Sequence, residues 1–358
     1  MSLPRGPYLF ILATLMIDAI GIGIVFPIMP DLMTRVGAGD TGQGAFWGGV
    51  LMASYAGAQF IFAPIVGSVS DAYGRKPVLL AALAFLALDY VIMALAGSFW
   101  VLLLGRTMAG LAGATYITAT AYISDITPKS KRAARFGMIG AAFGLGFVLG
   151  PALGGVAAAW HITAPFWLAA ALALGNVAFG LFVLPESLPE NRRRAFGLRD
   201  LNPFGAILRA IRLPGMTIPL AAIFVFEFAN MVYPTIWAFW GRETFGWSSL
   251  VIGLSLSAYG ILVTIAQAGV MPVAVPILGE RRLVLWGLAI SATAFAGFGL
   301  ANAIWAVAIL LPLAALSDLV PPTLTAMAAN AADDDEQGLI QGVIASLSSV
   351  AAIAGPLV

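Results

Sequence analysis

The chain has 358 residues, of which 61% are hydrophobic and only 10% are charged, and its mean hydropathy is +0.96. Soluble domains carry about a quarter charged residues, so this composition excludes a soluble protein and predicts a polytopic membrane protein. The net charge of +1 gives no indication of nucleic-acid binding, the lack of cysteine excludes disulfides, iron–sulfur clusters and thiol catalysis, and one histidine (His161) leaves little basis for an imidazole site.

Long apolar runs predict eleven membrane-spanning helices, because a helix needs about 20 mostly apolar residues to cross a bilayer. The last run stops at Gly355-Pro356-Leu357-Val358, and we expect a twelfth span to be missing. The predicted spans, in chain order, lie near residues 8–29, 45–67, 77–96, 99–123, 136–158, 163–184, 215–240, 249–272, 283–301, 303–328 and 338–358.

A polar segment divides the spans into six and five. Residues 185–214 contain four prolines and six arginines, and predict a linker between an N-terminal six-helix bundle (1–184) and a shorter C-terminal bundle (215–358). Basic residues are enriched in cytoplasmic loops. Fifteen of the 18 lysines and arginines fall on one side, so we expect a cytoplasmic N-terminus and linker.

Five ionisable residues fall inside predicted spans. A charge at the bilayer centre costs at least about 2.5–3.5 kcal/mol on insertion scales, so these residues predict a polar cavity between helices. We expect the carboxylates among them to contact substrate, and a carboxylate in such a cavity can exchange a proton for a cation. The five are Asp18, Asp89, Arg106, Glu227 and Asp318.

Asp89 and Arg106 lie at equal distances from the turn at Gly97-Ser98, which places them at one depth in a helical hairpin. They are either a structural ion pair or a carboxylate whose protonation is coupled to conformation, and both can hold at different stages of a cycle. Asp18 precedes Gly21, Gly23 and two prolines, which loosen the helix and favour a cavity there.

Two glycine-rich motifs predict moving parts. The loop after the second span contains Gly67, Asp71, Gly74 and Arg75, where the glycines allow a tight turn and the charges can contact a neighbouring helix end. The fifth span has small residues every four positions, which allow close helix packing, and a proline that introduces a kink. In the fifth span the glycine and proline at the kink are Gly150 and Pro151.

Other short motifs accompany these patterns: Asp18-Ala-Ile-Gly-Ile-Gly with Pro27 and Pro30, Gln59-Phe60 before Ala63-Pro64, Asp89-Tyr90, Tyr122-Ile-Ser-Asp125-Ile-Thr127, Leu184-Pro-Glu-Ser187, Ala266-Gln267 and Leu278-Gly-Glu-Arg-Arg282. In this order they resemble the major facilitator superfamily. Within it, the closer resemblance is to drug/proton antiporters of the tetracycline efflux type.

The resemblance implies alternating access between two six-helix halves and export of a metal–tetracycline cation in exchange for protons. It implies substrate contacts at Asp18, Gln59 and Asp89, and gating at Asp71 and Arg75. We assign proton coupling to Asp18, Asp89 and Arg106, and we extend the gating assignment to Gly67, Gly74, Gly150 and Pro151. No cofactor and no protein metal site are expected, and Mg²⁺ enters only as part of a chelated substrate. The expected partners are a small-molecule substrate, protons and the lipid bilayer, for a monomer in the bacterial inner membrane.

Some positions depart from this family. Ala72 stands where an arginine is usual, and Ser291 stands where the tetracycline pumps carry an aspartate in the ninth span. The chain instead has Glu227 and Asp318 at positions that resemble uncharged ones. Alternatives therefore remain open: a carrier of another drug or metabolite, including an uptake carrier, or a transport-inactive membrane sensor. An enzyme is not expected.

Overall fold

In the computed structural model, residues 5–112, 115–128, 131–193, 217–331 and 337–358 are described. These residues form helices and short connections, with no strand among them. Most of the predicted 185–214 linker lies outside the described residues. Its described beginning has a single 3-10 turn, Glu190–Arg192.

The first six spans form what we call the N-terminal half. Two of them are built from more than one helix, and the second and third are separated by Gly74 alone. The first contains Arg5–Gly23, a 3-10 turn at Phe26–Ile28 and Met29–Arg35; the others are Thr41–Tyr73, Arg75–Leu95, Phe99–Ala112 with Thr115–Ile126, Arg132–Ala158 and Ala164–Val183.

The later helices form the C-terminal half. The seventh span is broken at Met231, the eighth contains a π-helical turn, and the tenth is broken at Asp318-Leu319. The helices are Thr217–Asn230 with Val232–Phe245, Ser249–Ile265 with a π turn at Ala266–Val270 and Met271–Leu278, Glu280–Leu300, Ile304–Ser317 with Val320–Ala331, and a last helix at Gln337–Ala354.

The predicted all-helical membrane fold is confirmed, but the count of eleven spans was too high. Ten helices among the described residues are long and apolar enough to cross a membrane. The eleventh predicted span, near 338–358, corresponds to the helix Gln337–Ala354 and the 3-10 turn Gly355–Leu357, whose apolar stretch Gly342–Leu357 is shorter than the ten others. The sequence therefore predicted where this helix lies, but not that its apolar stretch is short.

Each half has its own hydrophobic core. In the N-terminal half the first span packs on the fifth and sixth, and the third packs on the sixth. In the C-terminal half the ninth span packs on the tenth, and the seventh packs on the tenth and the last helix. The halves meet where the fifth span contacts the eighth and the second contacts the last helix.

Candidate functional site

A cleft lies between the two halves. Two adjoining cavities of about 520 Å³ and 650 Å³ share wall residues from the first, second and fifth spans and the last helix. Small-molecule sites typically measure about 300–1,000 Å³, so these cavities, which we call the central cleft, can hold a drug-sized compound. The shared wall residues are Ile22, Gln59, Phe143, Ser348 and Ser349.

Asp18 lies in the wall of the larger cavity. Its side chain is buried, with 3% exposure, and its Oδ1 accepts no hydrogen bond from the described residues. The helix that carries it ends at Gly23, five residues later, where the first span is interrupted. A buried carboxylate with an oxygen that receives no hydrogen bond is costly to keep ionised, so this position suits a group that binds a proton or a cation.

Arg106 supplies the positive charge of the smaller cavity, whose wall also contains Tyr55 and Gln59. The guanidinium lies over the ring of Tyr55, with 5.8 Å between its Cζ and the ring centroid. Its Nε and Nη2 are buried and donate no hydrogen bond to any described residue. The arginine is therefore close enough to an aromatic ring for a cation–π contact and keeps free donors.

Asp89 is placed away from both cavities and is fully buried. It packs against Gly105, where an added Cβ would lie 2.7 Å from Asp89 Oδ1. Neither carboxylate oxygen is hydrogen-bonded within the described part of the chain, and no salt bridge of 4 Å or less joins Asp89 to Arg106. The structural ion pair, one of the two alternatives predicted for these residues, is therefore not formed in this conformation, in which Asp89 lies against Gly105.

The structure separates the two acids of the C-terminal half. Glu227, in the seventh span, lines the smaller cavity. Asp318 lines neither cavity, because it sits at the break in the tenth span, where Tyr259 donates a hydrogen bond to its Oδ2 at 2.6 Å. Ser291, at the ninth-span position that the family comparison singled out, is buried.

The loop between the second and third spans centres on Arg75, which is 8% exposed. Its guanidinium contacts Asp71 at 2.5 Å, Asp125 at 3.2 Å and the Ser70 hydroxyl at 2.5 Å. This cluster ties the second and third spans to the end of the fourth. Of the predicted gating residues here, Asp71 and Arg75 are in direct contact and Gly67 accepts a hydrogen bond from Ser70 at 2.8 Å.

Glu186 caps the third span from outside its own helix. The backbone N–H groups of Arg75 and Lys76 donate to its carboxylate at 2.9 and 3.2 Å. Gly74 has φ +107°, and the helix has no side-chain cap of its own. A carboxylate at a helix N-terminus is stabilised by the exposed N–H groups and the helix dipole, so the start of the linker fastens this loop.

No role was predicted for Asp125 or Glu186, although both lie in motifs that carried the family resemblance. The signal available was their position: each acid follows the end of a span on the side that holds Arg75. The sequence does not show that Asp125 bonds to the Arg75 guanidinium and that Glu186 accepts from the Arg75 backbone N–H. These contacts depend on how the spans pack together.

The fifth span presents two different glycine faces. Gly150 lies against the first span, where an added Cβ would be 2.7 Å from the Ile20 carbonyl oxygen and 3.0 Å from Gly23 Cα. Gly155 lies against the eighth span, where a Cβ would be 2.6 Å from the Ser249 carbonyl oxygen. Pro151, between them, packs on Gly253 of the eighth span. The predicted gating pair Gly150-Pro151 thus lies where both halves contact the fifth span.

A salt bridge between the halves was not predicted. Arg242, near the end of the seventh span, bonds to both carboxylate oxygens of Asp31, at the end of the first span, and Ser249 donates to the same carboxylate. Nearby, the Thr41 hydroxyl donates to Glu243 at 3.1 Å. These contacts lie at the opposite end of the spans from Arg75. Polar contacts therefore join the two halves at the end of the spans where Asp31 lies, which we call the Asp31 end.

Helices that cross a membrane in two packed halves, with a cleft and buried ionisable groups between them, define a secondary transporter rather than an enzyme. The chain belongs to the Major Facilitator Superfamily, whose family model matches residues 11–356. The family resemblance found in the sequence is confirmed, and the chain is a multi-pass integral membrane protein.

Two curated relatives are tetracycline resistance proteins. The class C protein of Escherichia coli is 40% identical over 351 residues, which cover 97% of this chain and 87% of that protein. The class G protein of Vibrio anguillarum is 38% identical and covers 95% of this chain and 86% of its own length.

Solved structures support the fold. The human organic anion transporter MFSD10 (TETRAN) superposes with a TM-score of 0.72 at 24% identity and covers 100% of this chain and 93% of its own. A bacterial homologue of the human lysosomal transporter Spinster, in an inward-facing and unoccupied conformation, gives a TM-score of 0.82 at 14% identity, with 100% and 82% covered.

Proposed function

We propose that this protein exports a tetracycline-like amphipathic drug in exchange for protons, by alternating access of the central cleft. The observation that carries the proposal is the buried carboxylate of Asp18 in the cavity wall, whose Oδ1 has no hydrogen-bond partner among the described residues, in a chain similar along nearly its whole length to tetracycline resistance proteins.

The cleft chemistry suits such a substrate. Its wall is mostly apolar, with a few polar groups that can orient a ligand, namely Gln59, Arg106, Glu227 and two serines of the last helix. Apolar walls with a small number of placed polar groups are typical of small-molecule sites. Asp18 and Glu227 bring negative charge from both halves, which favours a cationic or metal-chelated drug.

Proton coupling follows from the cost of buried charge. An ionised carboxylate removed from water is stabilised only by a nearby cation or by hydrogen-bond donors, and otherwise takes up a proton. Asp18 can therefore hold a proton when the cleft lacks cationic drug and lose it when the drug binds. In this proposal Asp89 and Arg106 act as a second coupling site, since both are buried and interact electrostatically without forming a salt bridge.

Orientation and assembly are part of the proposal. The excess of basic residues on one side supports a cytoplasmic N-terminus in a bacterial inner membrane. One chain supplies both walls of the cleft, which supports a functional monomer. Mg²⁺ then passes through only as part of a chelated drug, with no resident cofactor.

The test measures proton movement in everted membrane vesicles with an imposed pH gradient. Adding tetracycline with Mg²⁺ should dissipate the gradient with the parent protein, and Asp18→Asn should abolish the response because an amide cannot bind the proton. Asp40→Asn is the matched control, since Asp40 is an external helix cap that accepts a hydrogen bond from the Gln43 N–H and asparagine caps equally well. A response from Asp18→Asn equal to that of the parent would refute the coupling role.

Drug tolerance separates export from the other functions. Cells that express the protein should tolerate higher concentrations of at least one tetracycline. An uptake carrier would not raise tolerance, and an inactive sensor would leave both tolerance and the pH gradient unchanged. Unchanged tolerance across a broad drug panel, with verified expression, would count against export.

A further inference from the structure

The C-terminal half contains an acidic site that the central cleft does not include. Tyr259 donates a hydrogen bond to Asp318 Oδ2 at 2.6 Å. The Tyr259 ring packs against that of Tyr233, with 5.5 Å between centroids, and Tyr233 stacks on Phe295 at 5.1 Å. The phenol is therefore fixed by aromatic packing from the seventh and ninth spans.

Irregular backbone surrounds this acid on two spans. Asp318 ends the helix Ile304–Ser317, and the next helix begins at Val320. Opposite the break, the eighth span contains the π turn Ala266–Val270, from which the Gln267 amide donates to the Asp318 carbonyl oxygen at 3.2 Å. π turns and broken helices within membranes are frequent at functional sites, and here one side chain joins the two.

The charges around Asp318 are unbalanced. It is the C-cap residue of the helix Ile304–Ser317, where the free carbonyl groups of the last turn repel a carboxylate. No basic side chain of the described residues forms a salt bridge with it. The titratable groups that interact with it are Tyr259 itself and, from the seventh span, Glu227 and Tyr233. Only the phenol hydrogen bond stabilises the anion, so both protonation states are accessible.

We propose that Asp318, hydrogen-bonded by Tyr259, is a proton-binding site of the C-terminal half, and that Glu227 connects it to the substrate in the central cleft. The proposal rests on the proposed drug/proton exchange. It adds a site in the tenth span to the acids of the first and third spans.

Glu227 supplies the connection because it lines the cleft and its helix, Thr217–Asn230, packs on Val320–Ala331, the helix that begins two residues after Asp318. Two buried carboxylates that repel each other are costly to ionise together, so the pair holds a proton in the absence of a cation. A cationic drug beside Glu227 offsets that repulsion, and Asp318 then releases its proton to water. The Glu227–Asp318 pair thus alternates between a protonated state without drug and an ionised state with bound drug. One proton is taken up and one is released per cycle.

The experiment compares two modes of tetracycline transport in vesicles that contain the full chain. The first is accumulation driven by an imposed pH gradient, and the second is exchange of labelled for unlabelled tetracycline at equal pH. Asp318→Asn should lose accumulation and keep exchange to within about twofold of the parent, as expected for a substitution that leaves the packing intact. Tyr259→Phe should shift the pH dependence of accumulation. Glu190→Gln, which changes an exposed acid in the 3-10 turn of the linker, should match the parent.

Two outcomes would overturn the inference. If Asp318→Asn accumulates tetracycline like the parent, Asp318 carries no coupled proton. If the variant folds but loses exchange as well, its role is in drug binding or architecture. A parent protein that transports no tetracycline would instead refute the proposed function.

A second measurement tests the proton site without any substrate. In infrared pH titrations of the purified proteins, the carboxylic acid absorption of the parent should contain a titrating component that Asp318→Asn lacks and Glu190→Gln retains. If the titrations of parent and Asp318→Asn coincide, the inference is wrong whatever the transport assays show.

Discussion

Asp18 and Asp89 show how the same side chain acquires different surroundings two helices apart. Asp18 reaches the cleft wall, whereas Asp89 is enclosed against Gly105 of the fourth span. Oδ1 of Asp18 and both carboxylate oxygens of Asp89 receive no hydrogen bond from the described residues. Because the cleft gives Asp18 direct access to drug and water, we expect Asp18 to respond to the substrate first and Asp89 to respond to movement of the fourth span.

Gly105→Ala tests the placement of Asp89. The added methyl would overlap Asp89 Oδ1 and approach Ile92 Cγ2 at 3.2 Å. Because the nearest atom is the end of a side chain, the carboxylate should move while the fold survives. We expect pH-gradient-driven transport to fall and thermal stability to change little.

Gly97→Ala is the control in the same helical hairpin, since nothing lies within 4 Å of an added Cβ there. Transport by Gly105→Ala at the parental rate would show that the position of the Asp89 carboxylate is not important for coupling.

At the scale of elements, the fifth span illustrates why glycine spacing alone is ambiguous. The stripe predicted from sequence includes Gly140 and Gly144, yet an added Cβ at either would meet nothing within 4 Å. Gly146, Gly150 and Gly154 face the first span at close range. The spacing identified the helix correctly, and the packing decides which glycines are needed.

Gly150→Ala should therefore destabilise the protein while Gly144→Ala should not. The methyl at position 150 meets backbone atoms of Ile20 and Gly23, which cannot rotate away. Overpacking of this kind costs about 1–3 kcal/mol. Thermal unfolding of the two purified variants, followed by size-exclusion chromatography, makes the comparison on one helix. Equal midpoints would contradict the close contact between the first and fifth spans.

Over the whole molecule, the conformation depends on contacts that join the halves. The Asp31–Arg242 salt bridge lies at one end of the spans, and the Arg75 cluster, which lies entirely within the N-terminal half, is at the other. Alternating access requires the halves to separate at one end at a time. The structure therefore corresponds to a state that is closed at the Asp31 end.

Asp31→Asn should shift the population toward opening at that end. A half-exposed ion pair contributes at most about 1 kcal/mol, so a twofold to fivefold change is expected. The chain has no cysteine, so a cysteine placed by Ser348→Cys in the cleft wall is the only thiol. Its labelling by a membrane-impermeant reagent should become faster from the Asp31 side and slower from the Arg75 side.

Exchanging the two charges, Asp31→Arg with Arg242→Asp, is the control and should restore the parental labelling ratio. If Asp31→Asn leaves the ratio unchanged, the salt bridge does not hold the halves together.

Much of the fold could be predicted because hydropathy and charge act locally along the chain. The third span was predicted near 77–96 and extends over Arg75–Leu95. The breaks at Met231 and Asp318-Leu319 and the π turn at Ala266–Val270 were not predicted. Hydropathy averaged over a whole span cannot detect a few residues whose backbone departs from the α-helix. Most of these residues are as apolar as their neighbours, and the charge of Asp318 by itself does not show that the helix is broken there.

The candidate site, like the fold, could be predicted only in part from the sequence. The cost of burying charge was sufficient to single out Asp18, Asp89, Arg106, Glu227 and Asp318 from the sequence. The same argument does not show that Asp18 and Glu227 line one cleft, that Asp89 lies against Gly105, or that Tyr259 donates a hydrogen bond to Asp318. Those relations join residues on different spans.

The amino-acid sequence by itself determined that this protein lies in a membrane as a series of helices and which family it resembles. These properties follow from the transfer of single residues and short segments out of water, and need no knowledge of neighbours. The tertiary structure alone decided which acids line the cleft, at which end of the spans the two halves are joined, and which residues Arg75 and Asp318 contact. Distances between side chains on separate helices depend on how the helices pack, and local sequence does not contain that information.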